Sequence, residues 1–290
     1  EVKMNKLIVL GAGTPTPTGE RFGSSVVLSI EDELIMFDCG PASTHKLIKK
    51  RILPTQVNSL FFSHHHFDHN VDYPCFLLSR WDQGAGKEKK LKVFGPNLTE
   101  KITEQLIGPE GVFSYDWKAR VNHPLSQKVY QNRGGILPRK PPSVLSKDIQ
   151  PRSTQVFDKF EIHSREAKHV QPYLDSLAYR LDSKKNSIVY TGDTSPCEEV
   201  EELSYKADVM ICMCWDDQNI MNEVGEDEGQ CGTIGAAMMA SKAQVKHLVL
   251  THLGPNIHKR NEQIKSLKQM RKIFSGKITF SNELEEIVMN

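Results

Sequence analysis

The sequence carries no charge excess of either sign: 37 Lys+Arg stand against 36 Asp+Glu, a formal net charge of +1 over 290 residues. A protein that neutralised phosphates over most of its surface would carry a basic surplus, and a solvating disordered chain a large net charge, so neither is expected. No apolar run approaches the roughly 20 residues of a membrane span, which excludes a helical membrane protein. Cysteine is sparse and scattered, at Cys39, Cys75, Cys197, Cys212, Cys214 and Cys231; this fits free thiols in a reducing cytoplasm better than a disulfide framework. The start, Glu1-Val-Lys-Met-Asn-Lys6, lacks the segments of a signal peptide. Met4 reads as the natural start behind a short remnant, the alternative being a mature end left by earlier processing, and a cytoplasmic location is expected. There is no Gly-x-Ser-x-Gly elbow. Gly11-Ala-Gly13 lacks the third glycine of a dinucleotide fingerprint, since Thr16 and Pro17 follow, and reads as a tight turn.

What is present is the composition of a globular protein, 38% hydrophobic and 25% charged, long enough for one large or two small domains. Strand patterns are read at 6–10, 25–30, 33–38, 59–63, 90–94, 155–163, 176–182, 187–191, 209–213 and 247–251. Helical spacing is read at 41–50, 98–107, 198–205, 233–243 and 261–274. Interleaved strands and helices argue a layered α/β domain, expected to be a single one over 1–290. Between 108 and 154 the pattern thins, and the stretch is read as an insertion or extended loop. It could cover a cleft, bind an anion through Arg133, Arg139 or Lys140, extend into a homodimer partner, or simply be solvated. The acidic run 222–228, preceded by Trp215 and Asp216-Asp217, reads as a lid or a solvated loop.

Eleven histidines stand out, three of them consecutive. His64-x-His66-x-Asp68-His69 directly follows an apolar strand, where residues two apart share a face. His64 and His66 can therefore approach one cation while Asp68 and His69 turn towards a second. Imidazole with carboxylate suits zinc first, then manganese, iron or cobalt. His65 points away and is read as structural. Cys212-x-Cys214, in an apolar stretch, is read as buried thiols.

On this run, and on His169 before Ser176-Leu-Ala-Tyr-Arg180, Asp193 in Thr191-Gly-Asp-Thr194 and His252 in Thr251-His-Leu-Gly-Pro255, the chain resembles the metallo-β-lactamase-fold hydrolases over nearly its full length. The resemblance implies an αββα sandwich, two β-sheets flanked by helices. It implies two Zn2+ per chain, one held by His64, His66 and His169, the other by Asp68, His69 and His252, with Asp193 bridging. Asp38, in Phe37-Asp-Cys-Gly40, would support the ligand loop. A metal-bridging hydroxide, oriented by Asp68, would attack the ester, two metals acting as a clamp on its oxygens.

Within that superfamily, Leu10-Gly-Ala-Gly-Thr-Pro15 and Phe94-Gly-Pro96 are similar to the branch of ribonuclease Z-like phosphodiesterases and zinc-dependent arylsulfatases. Ribonuclease Z itself would imply a long tRNA-binding arm, for which the 24 positions between His169 and Asp193 leave no room. It would also imply a His-Glu pair and a His-x-Thr, where Cys212-Met213 and Cys231-Gly232-Thr233 stand. Loss of a protonated histidine near the leaving oxygen favours leaving groups that need little protonation, and near-neutral charge weighs against tRNA. The leading expectation is therefore a hydrolase of a small-molecule ester, of phosphodiesterase or arylsulfatase type, with no nucleic-acid partner. Cys231 and Thr233 are candidates for the substrate side. The alternatives are a ribonuclease Z-type tRNA 3′-processing endonuclease, a lactonase, or a non-hydrolytic metal-binding or redox protein.

Overall fold

The computed structural model describes residues 5–289; the reading of residues 1–4, including the start at Met4, lies outside them. In chain order the strands are β1 (Lys6–Ala12), β2 (Ser24–Ile30), β3 (Glu33–Phe37), β4 (Val57–Phe61), β5 (Lys92–Gly95), β6 (Leu145–Asp148), β7 (Thr154–Val156), β8 (Phe160–Glu166), β9 (Leu177–Ser183), β10 (Ser187–Tyr190), β11 (Val209–Met213), β12 (His247–Thr251), β13 (Lys277–Phe280) and β14 (Glu286–Val288). The helices are α1 (Ser43–Lys49), α2 (Phe67–Asn70), α3 (Tyr73–Gly84), α4 (Thr99–Ile107), α5 (Ser114–Asn122), α6 (Pro124–Asn132), α7 (Glu198–Leu203), α8 (Gln218–Val224), α9 (Thr233–Lys242) and α10 (Arg260–Met270).

Two seven-stranded sheets result, in the orders β14-β1-β2-β3-β4-β5-β6 and β13-β12-β11-β10-β9-β8-β7. Each is built the same way. From β14 to β3, and from β7 to β10, neighbours run antiparallel; from β3 to β6, and from β10 to β13, they run parallel. The β2–β3 hairpin turns at Glu31 (φ 48°) and Asp32 (φ 70°), the paired left-handed residues of a turn whose twist matches the strands it joins.

Side-chain alternation divides each strand between two cores. Leu7 and Val9 of β1 and Val209 and Ile211 of β11 enter the layer between the sheets. Ile8 and Leu10 face the helices of the first sheet, and Met210 and Cys212 those of the second. Strands buried on both faces read as continuous apolar runs, as these do. The inter-sheet layer is aromatic near the site: Phe37 lies 5.5 Å from Phe61 and 5.4 Å from Tyr190, centroid to centroid. This is the αββα sandwich expected from the sequence.

The stretch 108–154 is more regular than its pattern suggested. It holds α5, α6 and β6, which joins the first sheet beside β5. Arg133 and Arg139 pair with Asp82 near the C-terminal end of α3, at 2.6 and 2.9 Å. Among the described residues no helix is long and apolar enough to cross a membrane.

Candidate metal centre

Both sheets deliver their parallel strands to the same edge, and the chain turns sharply as it leaves them. Asp38 (φ 57°) follows β3, Gly192 (φ 57°) follows β10 and His252 (φ 53°) follows β12. Loops beyond the carboxyl ends of strands are where open α/β sheets gather functional groups, and here two sheets share one such edge.

The histidine run enters this edge from β4. His64 Nε2 lies 2.9 Å from His66 Nδ1, and His66 Nδ1 lies 3.2 Å from His169 Nε2. On the other side His252 Nε2 lies 3.3 Å from Asp68 Oδ2 and His69 Nε2 3.5 Å from the same oxygen. Asp193 stands between the groups, with Oδ2 3.2 Å from His252 Nε2 and 3.9 Å from His169 Nε2, and Oδ1 3.5 Å from His69 Nε2. Three donor sets converge: His64, His66 and His169; His64, His69 and Asp193; Asp68, His69 and His252. Donors 2.0–2.1 Å from a shared cation stand about 3 to 3.4 Å apart, close to the separations found.

The cluster is incomplete as a purely protein network. His69 Nε2 and Asp193 Oδ1 are enclosed and have no hydrogen-bond partner, a costly arrangement unless something else satisfies them. A divalent cation fits, with nitrogen and carboxylate donors of the kind that select zinc first. The electrostatics agree. Burial opposes the charge of His69, but Asp193, Asp38 and Asp68 outweigh it and hold the imidazole well above its ordinary range. Burial likewise opposes ionisation of Asp193, which His252, His69 and His64 overcome, keeping it well below the usual carboxylate range. Burial and the neighbouring His69 push His64 well down, leaving it neutral as a ligand must be. A cation held at this cluster would take the place of a proton on His69.

Asp38 anchors the loop from behind. It is fully buried and accepts from the Ser63 backbone N–H at 2.7 Å, the Ser63 hydroxyl at 2.6 Å and the Tyr190 hydroxyl at 2.7 Å, with His69 Nδ1 also at 2.7 Å. That last contact points His69 Nε2 at the cluster, the usual way a ligating histidine is oriented. At Gly40 a Cβ would collide with the Asp68 carbonyl, so the Phe37-Asp-Cys-Gly40 turn also sets how closely the ligand loop can approach. His65 turns away as expected: Nε2 meets Thr99 Oγ1 at 2.8 Å, and burial pulls its pKa down to about 4.

Two contributors were not read from the sequence. Tyr190 ends β10 inside an apolar run, and nothing local marks its hydroxyl as a partner of Asp38. Gly229 lies in the acidic loop, where its carbonyl holds His169 Nδ1 at 2.7 Å and so aims Nε2 at His66. Its φ is +74° and a Cβ there would strike the His169 carbonyl. That loop therefore positions a donor residue of the cluster. Gly229→Val is expected to weaken metal affinity about tenfold, the lower end for losing an orienting partner, with some loss of thermal stability in the metal-free protein from the strained backbone; a chelator-competition titration reads the affinity, and unchanged affinity would refute the positioning role.

Cys231 and Thr233, the candidates for the substrate side, are both fully buried. Cys231 packs in one core cluster with Cys212 and Cys214, and the Thr233 hydroxyl accepts from the Gln218 N–H at 3.3 Å. Neither has surface to offer a substrate. All six cysteines are free thiols.

The family profile described as "Beta-lactamase superfamily domain" matches residues 34–253. A ribonuclease Z of Methanosarcina acetivorans is 26% identical over 306 residues, covering 97% of each chain. Among solved structures, the metallo-β-lactamase fold protein YhfI from Bacillus subtilis aligns with a TM-score of 0.73 at 19% identity, over 98% of this chain and 99% of that one. Human tRNase Z, short form, aligns with a TM-score of 0.66 at 20% identity, over 98% and 99%.

These relatives overturn the expectation of a small-molecule ester and of no nucleic-acid partner. One of its supports fails for an identifiable reason. A net charge of +1 averages over the whole surface and conceals local basic clusters such as Lys87, Lys89, Lys90 and Lys92. Because the profile spans about three quarters of the chain and takes in Asp38, the whole histidine run, His169, Asp193 and His252, the chain belongs to the β-lactamase superfamily, on its metallo-β-lactamase-fold, ribonuclease Z-like side.

Proposed function

We propose that this protein is a metal-dependent phosphodiesterase acting on RNA, a 3′-processing endonuclease of ribonuclease Z type. The observation that carries the reading is the end-to-end relation to a ribonuclease Z in a chain whose seven donor residues converge at one edge. In this reading His64, His66 and His169 hold one divalent cation, Asp68, His69 and His252 a second, and Asp193 lies between them. Bound there, two zinc ions would lower the pKa of a shared water and neutralise charge on the phosphoryl oxygens.

The protein's own groups do the rest. Asp68, itself buried, aligns the attacking water and accepts its proton at a carboxylate oxygen. Burial would raise Asp68, but His69 and His252 hold it below the usual carboxylate range, so it is ionised and ready to accept. Asp38 and Gly229 keep His69 and His169 in line, which matters because a small misplacement of a positioned group is expensive in rate. Cys212 and Met213 are enclosed in the core and supply no proton to a leaving ribose oxygen, so RNA cleavage should be slower than cleavage of an aryl diester whose leaving group needs none.

Zinc-loaded protein incubated with a precursor tRNA carrying a 3′ trailer should produce one discrete cut. No cleavage with enzyme in excess, while bis-p-nitrophenyl phosphate is still turned over, would refute the RNA assignment and leave only a phosphodiesterase.

A further inference from the structure

A second concentration of charge lies far from the metal centre. Arg80 is 4% exposed, and its guanidinium donates to two main-chain carbonyls, Val57 at 3.2 Å and Lys89 at 2.6 Å. Among the described residues it enters no ion pair with a carboxylate. A buried cation without a counterion is costly, and burial indeed lowers its pKa, with Glu88 pulling weakly the other way. Lining the same pocket as Arg80, Arg139 is 6% exposed. Its guanidinium stacks on Trp81 at 3.9 Å and Tyr130 at 4.9 Å, one edge reaches Asp82, and Nε has no partner.

These two arginines line a cavity of about 380 Å³ together with Lys87, Lys89, Lys90 and Lys140; Glu88 is the carboxylate of the lining, and from outside it Asp82 engages Arg139 and Glu33 lies 3.8 Å from Lys89, which leaves an excess of positive charge. The rim is also apolar in part, through Ile136, which is 85% exposed, and two prolines. A pocket of this size takes a ligand of tens of atoms rather than one small ion. Fixed guanidinium groups below and mobile ammonium groups above suit phosphate oxygens, and the apolar wall suits the flat face of a base. Val57 opens β4 whereas His64 lies beyond its other end. At about 3.3 Å per residue the seven positions between put the pocket roughly 20 Å from the metal centre.

We propose that this pocket, bounded by α3, α6 and the segment between Gly134 and Ser143, is a second site that binds a phosphorylated nucleotide. The nucleotide can be free or one residue of an RNA chain. The site stands without the ribonuclease reading; only RNA as its natural source rests on that reading.

Calorimetric titration of the full-length, metal-loaded protein with ADP, and with a short single-stranded RNA, tests it. ADP should bind saturably at low salt with one site per chain. Lys87→Glu with Lys140→Glu, both on the surface, should weaken that binding at least tenfold and flatten its salt dependence by about two contacts. Arg80→Gln should weaken it as well, and hydrolysis of bis-p-nitrophenyl phosphate should not change in the lysine variant. RNA displaced by ADP identifies a residue of an RNA chain as a source; RNA that is not displaced identifies the free nucleotide. Absence of saturable ADP binding, or ADP binding indifferent to the lysine reversals, overturns the proposal. Loss of precursor-tRNA cleavage with ADP binding intact strikes the ribonuclease reading and leaves this site standing.

Discussion

Asp193→Ala is expected to lower phosphodiester cleavage by about 10³-fold or more and to leave the purified protein with at most one bound metal. The residue is the one carboxylate that approaches donors of both groups, His169 and His69 as well as His252. Without it five imidazoles face one another across the seam with less negative charge to balance a cation pair. If two cations each supply several kcal/mol of transition-state stabilisation, losing one and misplacing the other accounts for three decades at 1.36 kcal/mol per decade. Metal content by mass spectrometry and turnover of bis-p-nitrophenyl phosphate measure the two effects separately. Two metals retained with unchanged turnover would refute the placement of Asp193 between them.

Asp38→Ala is expected to act on the fold as strongly as on the site. Its side chain gathers four partners, from the Ser63 backbone, Ser63 hydroxyl, Tyr190 hydroxyl and His69, all enclosed between the sheets. Removing the acceptor leaves those donors buried and unpaired, a loss of about 3–5 kcal/mol. For a chain of this size that lowers the thermal midpoint by about 10 °C. Metal affinity should fall about 10- to 100-fold, because His69 loses the contact that aims it. Asp38→Asn, with its amide oxygen at the Oδ2 position, keeps the contacts to the Ser63 hydroxyl, the Tyr190 hydroxyl and His69 and loses only the acceptor of the Ser63 N–H, so it should cost less on both counts. A stable Asp38→Ala protein with native metal affinity would show that the ligand loop holds itself.

The legibility of the site and of the fold differed for physical reasons. The donor residues were readable because ligation needs particular residue types, and those of the histidine run are adjacent in sequence. Strands β11 and β12 coincide with the apolar runs read at 209–213 and 247–251, since strands buried on both faces leave an unbroken signal. The single strand read at 155–163 is divided at Asp158-Lys159 into β7 and β8, which pair with each other. Helix α3 was overlooked although Tyr73, Phe76, Leu77, Arg80 and Trp81 recur at its buried spacing; Pro74 sits in its first turn, where proline is tolerated, and does not break it. Helices α5 and α6 bury one residue each, Trp117 and Tyr130, so they present no apolar stripe to read. Tyr190 and Gly229 act through partners 152 and 60 positions away, separations that no local pattern spans.

The construction of the site from both sheets has a consequence for how the chain gains its final rigidity. Asp68 and His252 are 184 positions apart, so a cation held by both closes a loop of that length. Closure entropy grows only logarithmically with length, and this tie comes almost free once the sheets have met. Before they meet, neither half owns a complete set of donors, and the free energy of metal capture becomes available only to the assembled molecule. It is then folding free energy, and resistance to unfolding rises and falls with free metal by mass action.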